Sequence, residues 1–356
     1  MSYKNNYDGL AGIHIVNTSA EKLNSRGNDL LYQELGRLGI ALAVIPGNQG
    51  SYKRTEEGIL FAHPTFGKEQ MSLDKKEEYS IGHGGIEVVR AKVLVPTDLE
   101  EQIPVLNGPR LRELDKKWDQ YQIAQDFSPN TIKIDPDENP DNSFFEKLQG
   151  SKLVIKSNLS AGGSKYVQIV TRSEALNAIY AMRSEFNNLE KPRSDNSIIV
   201  QEFVPGLPWS ELRGVDEKSR HLLSNAKDTE LRIFCFVDKN KKITQDMRYQ
   251  ATARVWDNNR DDEWASIDQD SVPIQAWQIA DIVSDRVMEK ANVSGGCFAI
   301  DLIKGDANDG LGERIFVRES NFSRPDMVSK KDNLHDAVKQ RELLANLMAV
   351  MIKNGK

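Results

Sequence analysis

The chain is constrained most by two β-rich runs, Cys297-Phe298-Ala299-Ile300-Asp301-Leu302-Ile303 and Arg314-Ile315-Phe316-Val317-Arg318. Both are short and apolar, and they read as neighbouring strands. The first carries Asp301, and the second runs into Glu319-Ser320-Asn321, eighteen residues further on. Their oxygens can therefore converge on a hard cation. Magnesium favours oxygen ligands in near-octahedral array and is usually held by one or two carboxylates together with substrate phosphates, which suits Asp301, Glu319 and Asn321. Acidic residues at strand ends are also common as solvated caps, so the pattern needs support from elsewhere in the chain.

Three upstream segments supply it. Lys152-Leu153-Val154-Ile155-Lys156 reads as a strand, followed by a loop of small residues with Gly162, Gly163 and Ser164, and then by a second strand, Tyr166-Val167-Gln168-Ile169-Val170. Such a loop lets backbone N–H groups approach phosphate oxygens, and Lys156 can meet a phosphate as a point charge. A plain surface hairpin fits the same composition. No Walker A sequence closes the loop, and no G-x-G-x-x-G occurs in the chain. Ile198 to Val204 reads as an apolar strand that breaks at Pro205-Gly206, where free backbone groups could meet an adenine with Phe203 and Val204 near the base plane. Asn107 to Ile123 shows helical spacing of Leu111, Leu114, Trp118 and Tyr121, with Asp115-Lys116 on the helix and Pro129-Asn130-Thr131 after it.

The order of these segments, from about residue 107 to 328, resembles the ATP-grasp superfamily, in particular its carboxylate-amine ligases of the glutathione synthetase and D-alanine-D-alanine ligase kind. The resemblance implies an α/β (α+β) ATP-grasp fold behind an open N-terminal α/β domain, with ATP and Mg²⁺ as cofactors. It implies that Lys116 and Lys156 contact ATP phosphates beneath the Gly162-Gly163-Ser164 flap, and that Glu202, Phe203 and Val204 face adenine. Glu211 becomes a candidate for the ribose hydroxyls, and Asp301, Glu319 and Asn321 become the magnesium ligands. The strand Glu230-Leu231-Arg232-Ile233-Phe234 resembles the family's acid-x-Arg strand, which makes Arg232 the leading cation for the transferring phosphoryl group. Arg248, Arg254 and Arg324 are further candidates for the phosphate, the substrate carboxylate or the oxyanion.

Departures from the pattern limit what carries over. Ala299 stands where D-alanine-D-alanine ligases carry an arginine, two residues before the metal aspartate. A long segment from Leu207 to Thr229, with Arg213, Arg220 and His221, separates the hinge from Arg232 and reads as a family-specific decoration or a substrate element. Glu319-Ser320-Asn321-Phe322-Ser323-Arg324-Pro325 replaces the commoner proline-glycine ending, so the substrate cannot be transferred from a familiar member.

The expected units are 1–106 as the N-terminal domain, 107–197 as a first ATP-grasp subdomain with the flap, and 198–356 as a second with the metal site. Gly12 to Val16, Ala20 to Leu38 and Ile40 to Ile45 read as a β-α-β unit. His14, His63 and the turn Gly82-His83-Gly84-Gly85 could touch substrate there, although backbone freedom alone explains such a turn. Leu334 to Ile352 reads as a packing helix. A net charge of -6 points away from nucleic acid as a partner. Apolar runs too short for a bilayer and an N-terminus without a signal-peptide core lead to the expectation of a soluble, cytoplasmic protein away from membranes. Cys235 and Cys297 sit in apolar runs and read as buried thiols. The expected reaction activates a small-molecule or peptide carboxylate as an acyl phosphate and couples it to an amine; a homodimer stays open. A small-molecule kinase and a non-catalytic nucleotide-binding regulator are the alternatives.

Overall fold

The computed structural model describes residues 10–16, 28–38, 40–46, 51–55, 58–62, 70–72, 79–84, 105–159, 166–188, 195–226, 228–256, 262–306, 312–322, 325, 327 and 334–354. The N-terminal part contains β1 (Leu10–Val16), α1 (Asn28–Arg37), β2 (Ile40–Pro46), β3 (Ser51–Thr55), β4 (Gly58–Ala62), β5 (Gln70–Ser72), β6 (Tyr79–Gly84) and β7 (Val105–Leu106). Strands β2, β1, β6 and β7 form one sheet in that order, with parallel pairing throughout. The expected β-α-β unit is present. The segment around His83 differs from expectation, because Gly82-His83-Gly84 lies within β6 and pairs with Ile13-His14-Ile15 instead of forming a turn. Pairing with an apolar neighbour strand overrides the local glycine signal there.

Next come α2 (Pro109–Glu113), α3 (Lys117–Ile123), β8 (Thr131–Ile134), β9 (Lys152–Ser157), β10 (Val167–Thr171), α4 (Ala175–Asn187) and β11 (Ile198–Glu202). The expected single helix from 107 to 123 is two helices. Its break at Leu114 to Lys116 has a tertiary cause, since the Asp115 carboxylate accepts the Phe322 N–H at 3.0 Å and Lys116 adopts an extended backbone as the cap of α3. Strands β10, β9, β11 and β8 make a four-stranded antiparallel sheet. Alternation divides its faces. Leu153, Ile155, Ile198 and Val200 pack on Ile179, Met182 and Phe186 of α4, while Val154 and Lys156 take the opposite face.

The remainder is α5 (Glu217–Asn225), β12 (Asp228–Asp238), β13 (Tyr249–Trp256), β14 (Asp262–Ala265), α6 (Ile274–Ala291), β15 (Gly295–Asp306), β16 (Glu313–Asn321) and α7 (Leu334–Asn354). Five strands pair antiparallel in the order β14-β13-β12-β15-β16. One face of this sheet, with Leu231, Ile233, Ala253, Ile300 and Leu302, is closed by Ile279, Val283 and Val287 of α6. At one end of the other face, Phe234, Phe236 and Cys297 pack on Leu343, Leu347 and Met348 of α7, which also receives Leu31 and Leu35 of α1. Asp336 at the start of α7 accepts from Gln250 and Thr252, and beyond this contact that face carries the charged side chains of Arg232, Glu230 and Asp301. Among the described residues no helix is long and apolar enough to cross a membrane.

Where β11 leaves its sheet, the chain crosses to the five-stranded sheet through Phe203 to Leu207, and the Leu207 N–H reaches the Lys304 carbonyl at 2.8 Å. The crossing is tight. A Cβ on Gly305 would lie 2.5 Å from Val204 Cγ1 and 2.7 Å from the Pro205 carbonyl oxygen. Gly305→Ala should therefore destabilise the protein by about 1–3 kcal/mol in chemical unfolding, because backbone rather than a flexible side chain must yield. Gly36→Ala, at a helical glycine whose added Cβ would meet nothing within 4 Å, should instead be neutral or stabilise by up to about 1 kcal/mol.

Candidate active site

The two antiparallel sheets face each other across a cleft of about 220 Å³. Val154, Lys156, Val167 and Ile169 of β9 and β10 form one wall. Ile303, Arg318 and Glu319 of β15 and β16 form the other, and Gln201 to Val204 close the back with Gly206 and Asp228. The β10 residues Val167 and Ile169 are 39% and 55% exposed, which is unusual for two aligned apolar side chains on a strand unless something apolar enters between the walls. Val204, Ile303 and Phe316 form a small buried cluster on the opposite side. The hinge end of the cleft is thus apolar and the far end charged.

Local structure fixes the two lysines at the charged end. Asn158, just past β9, accepts the Trp118 N–H on its side chain at 2.8 Å and the Lys117 N–H on its carbonyl at 3.0 Å, so it caps α3 from outside the helix. This joint brings Lys117, the first residue of α3, beside Lys156 near the end of β9. Lys117 is 8% exposed and bonds the Glu319 carboxylate. Lys156 donates to Gln201 Oε1 at 3.0 Å, and Gln201 in turn donates to Thr131 Oγ1 at 2.9 Å. Burial and the neighbouring Lys117 charge push the Lys156 ammonium down to about 8. Burial works against the Glu319 charge, but Lys117 outweighs it and holds the carboxyl at about 2.

The opposite wall rests on a row of register partners. Thr252, Arg232, Asp301 and Glu319 lie side by side on β13, β12, β15 and β16. Arg232 grips Asp301 with two bonds, Nε to Oδ1 at 2.5 Å and Nη2 to Oδ2 at 2.7 Å, and both residues are almost fully buried. Burial opposes the guanidinium charge, yet the Asp301 carboxylate holds it protonated above its ordinary value. The next row places Arg254 opposite Glu230. Arg232 and Arg254 both lie against the Trp264 ring, 5.3 and 5.7 Å from its centre. Glu230 is 3% exposed, and burial followed by the nearby Asp301 charge pushes its carboxyl up to about 8.

Not all of the residues expected from sequence come together here. Lys156, Glu202, Phe203, Val204 and Glu319 line the cleft. Lys116 does not: it is turned toward Asp195 at 3.9 Å with its side chain 46% exposed, and Lys117 takes the place in the cleft. Glu202 is tied to its own side of the cleft through one oxygen, since Oε1 accepts from both Asn130 and the Gln149 N–H. Glu211 lies outside the cleft and pairs with Lys304 at 2.8 Å. Arg248 lines a different hollow with Asp238, Tyr249 and Asp285. Gly162, Gly163, Ser164, His63 and Arg324 fall outside the described residues, as do the side chains of His14 and His83.

Three residues went unmarked in the sequence. Lys117 is displaced by one position because the helix break is set by Phe322, far along the chain. Asp228 opens β12 with its Oδ1 buried and without a hydrogen-bond partner, directly over Gly206. An acid at the end of the Leu207 to Thr229 segment, just before the Glu230-Leu231-Arg232 strand, was the signal available for it. Arg318 lines the cleft because of a β-bulge, which leaves no trace in an alternation pattern.

Among the described residues, no group of three His, Cys, Asp or Glu side chains is placed to hold a metal ion. The residues expected from sequence to hold magnesium comprise two carboxylates, Asp301 and Glu319, directly opposite each other, with the Asn321 amide two residues along β16. These are hard oxygen donors, and a carboxylate oxygen that accepts one bond keeps a second lone pair, so the set fits the ion.

No family model matches the chain. No curated sequence matches it either. Solved structures do. A D-alanine-D-alanine ligase from Coxiella burnetii superposes with a TM-score of 0.57 at 13% identity, over 97% of this chain and 94% of that one. The macrocyclase MdnC from Microcystis aeruginosa, bound to the precursor peptide MdnA, gives 0.55 at 12% identity over 95% and 98%. A RiPP-associated ATP-grasp ligase from Chryseobacterium gregarium, in complex with ADP and a leader and core peptide, gives 0.54 at 13% over 95% and 96%.

Two measurements probe this geometry. Asp301→Asn strands a fully buried arginine and should cost about 3–5 kcal/mol of stability, whereas Glu319→Gln, whose carboxylate is 42% exposed to the cleft, should cost only about 1–2 kcal/mol in the same denaturant titration. Because Lys156 titrates near 8 in place of 10.5, the unfolded chain binds more protons between those values, and this group's contribution to stability rises with pH across that window. Its charge in the cleft is lost as pH rises through about 8. ADP affinity measured by calorimetry should therefore weaken between about pH 7 and about pH 9, and Lys156→Arg should flatten the dependence.

At this level of identity the likeness is one of fold alone, and the chain shares the ATP-grasp fold of these structures.

Proposed function

We propose that the protein is an ATP-dependent carboxylate-amine ligase that forms ADP, phosphate and an amide. The observation that carries this is the cleft between the two sheets of an ATP-grasp fold, apolar at the hinge and lined by Lys117, Lys156 and Glu319 at the other end. A purine fits between Val154, Val167 and Ile169 on one side and Val204 and Ile303 on the other. With Glu202 Oε1 already accepting two hydrogen bonds, base contacts fall to the hinge backbone and to the second Glu202 oxygen. Asp228 is the acceptor for the ribose hydroxyls, a part the sequence had suggested for Glu211. In this proposal residues 1–106, 107–197 and 198–356 serve as the substrate-side domain and the two nucleotide-binding subdomains.

The chemistry follows from charge. A carboxylate is a poor electrophile because oxide would have to leave. Attack of its oxygen on the γ-phosphorus of ATP breaks the bond to the β-phosphate oxygen, releases ADP and leaves an acyl phosphate. The amine nitrogen then attacks the acyl carbon, loses a proton, and expels phosphate with the C–O electron pair. The protein's part is position and positive charge. Lys117 and Lys156 meet phosphate oxygens, and Arg232 sets the Asp301 carboxylate. Arg254 stands ready on the Trp264 ring for the substrate carboxylate. Asp301, Glu319 and Asn321 would hold magnesium, which when bound neutralises charge on the phosphate oxygens. Two buried free thiols, Cys235 and Cys297, suit a reducing compartment such as the cytoplasm.

Incubation with Mg-ATP and pairs of amino acids or peptides should release phosphate only when both a carboxylate and an amine are present. Phosphate transferred stably to a hydroxyl with no need for an amine would make the protein a kinase instead. For the nucleotide itself, Asp228→Asn should weaken ADP binding about tenfold, and the loss should vanish with 2′,3′-dideoxy-ADP. An undiminished loss with the dideoxy nucleotide would remove Asp228 from the ribose.

A further inference from the structure

The register of β15 with β16 shifts between Asp301 and Leu302: Asp301 faces Glu319, Leu302 faces Val317, and Arg318 has no opposite residue. Consecutive residues of a regular strand point to opposite faces, so only one of Arg318 and Glu319 could ordinarily reach the cleft. The extra residue of the bulge changes that. Val317 stays in the core under α6 at 4% exposure, and Arg318 and Glu319 both line the cleft.

Arg318 is also held. Its Nη1 lies 3.3 Å from Glu230 Oε2, and Glu230 is buried with Arg254 3.8 Å from its other oxygen. An anchor inside the sheet thus directs a guanidinium that is 46% exposed at the cleft wall. The cations around the cleft then differ in kind. Lys117 and Lys156 come from the side of α3 and β9 as point charges, and Arg232 has two of its donors on Asp301 beneath the surface. Arg318 presents a planar fork directly beside Glu319, one of the residues that would hold magnesium, so its two-point grip falls on the phosphoryl group at the metal end of the cleft.

Given the nucleotide site proposed above, we propose that Arg318 contacts the γ-phosphoryl group of ATP and lets the cleft distinguish a nucleoside triphosphate from a diphosphate, with Glu230 as the positioning residue that aims it. The discrimination is a property of one side chain placed by one bulge. It requires no movement of Arg232 away from Asp301.

Calorimetry with ADP and with the non-hydrolysable β,γ-imido analogue of ATP, both in the presence of magnesium, tests this. Arg318→Gln should lower affinity for the imido triphosphate by about 10- to 100-fold and leave ADP within about twofold. Arg318→Lys, which keeps the charge but not the fork, should fall between wild type and the glutamine variant. Glu230→Gln should shift the triphosphate-to-diphosphate ratio in the same direction by a smaller factor, a change that a purely structural role would not produce. Retained ADP binding shows in each case that the variant is folded. Equal losses for both nucleotides, or no loss for the triphosphate, would overturn the assignment. Failure of the wild-type protein to bind either nucleotide would instead remove the nucleotide site itself, and the role of Arg318 with it.

Discussion

The buried pair between Arg232 and Asp301 is the interaction on which the rest of the cleft depends. It joins the central strand β12 of the five-stranded sheet to its neighbour β15 at the point where that sheet turns from a packed core to a charged wall. Burying an arginine and an aspartate is tolerable only when each satisfies the other in good geometry, and the two parallel bonds do so. Glu319 lies beside Asp301 on one flank, and Glu230 is two residues from Arg232 on the other. A charge change at the pair would therefore be felt at once by both neighbouring acids, one of which is held ionised and the other pushed toward its neutral form.

The cleft combines two sheets that solve the same problem in opposite ways. Each buries one face under a helix, α4 for one and α6 for the other, and each leaves part of its second face open. An open apolar strand such as β10 is costly in water, and a row of buried charges such as that on β12 and β15 is costly without partners. Facing each other across a narrow gap, the two surfaces offer a ligand with an apolar end and an anionic end what neither offers alone.

Much of this was legible in the sequence. The strands bearing Lys156, Arg232, Asp301 and Glu319 are compact apolar runs rich in β-branched and aromatic residues, so their existence and the ATP-grasp fold could be read from local composition and order. What escaped had non-local causes. The break before Lys117 comes from an Asp115 carboxylate bonded to the Phe322 backbone, 207 residues further along the chain. The bulge at Arg318 is a property of how two strands pair, and Glu211 was drawn out of the cleft by Lys304, a partner that no spacing rule identifies. The turn expected at Gly82-His83-Gly84-Gly85 is replaced by strand through Gly84 for a similar reason, since β1 supplied a pairing edge that glycine-rich composition does not reveal.

The Asn158 joint has one more consequence. Because a single side chain and its own carbonyl tie the start of α3 to the end of β9, Lys117 and Lys156 do not vary independently in position. Sequence changes at residues 117, 156 and 158 should therefore be epistatic rather than additive, and drift at any one of them would be tolerated only in step with the other two.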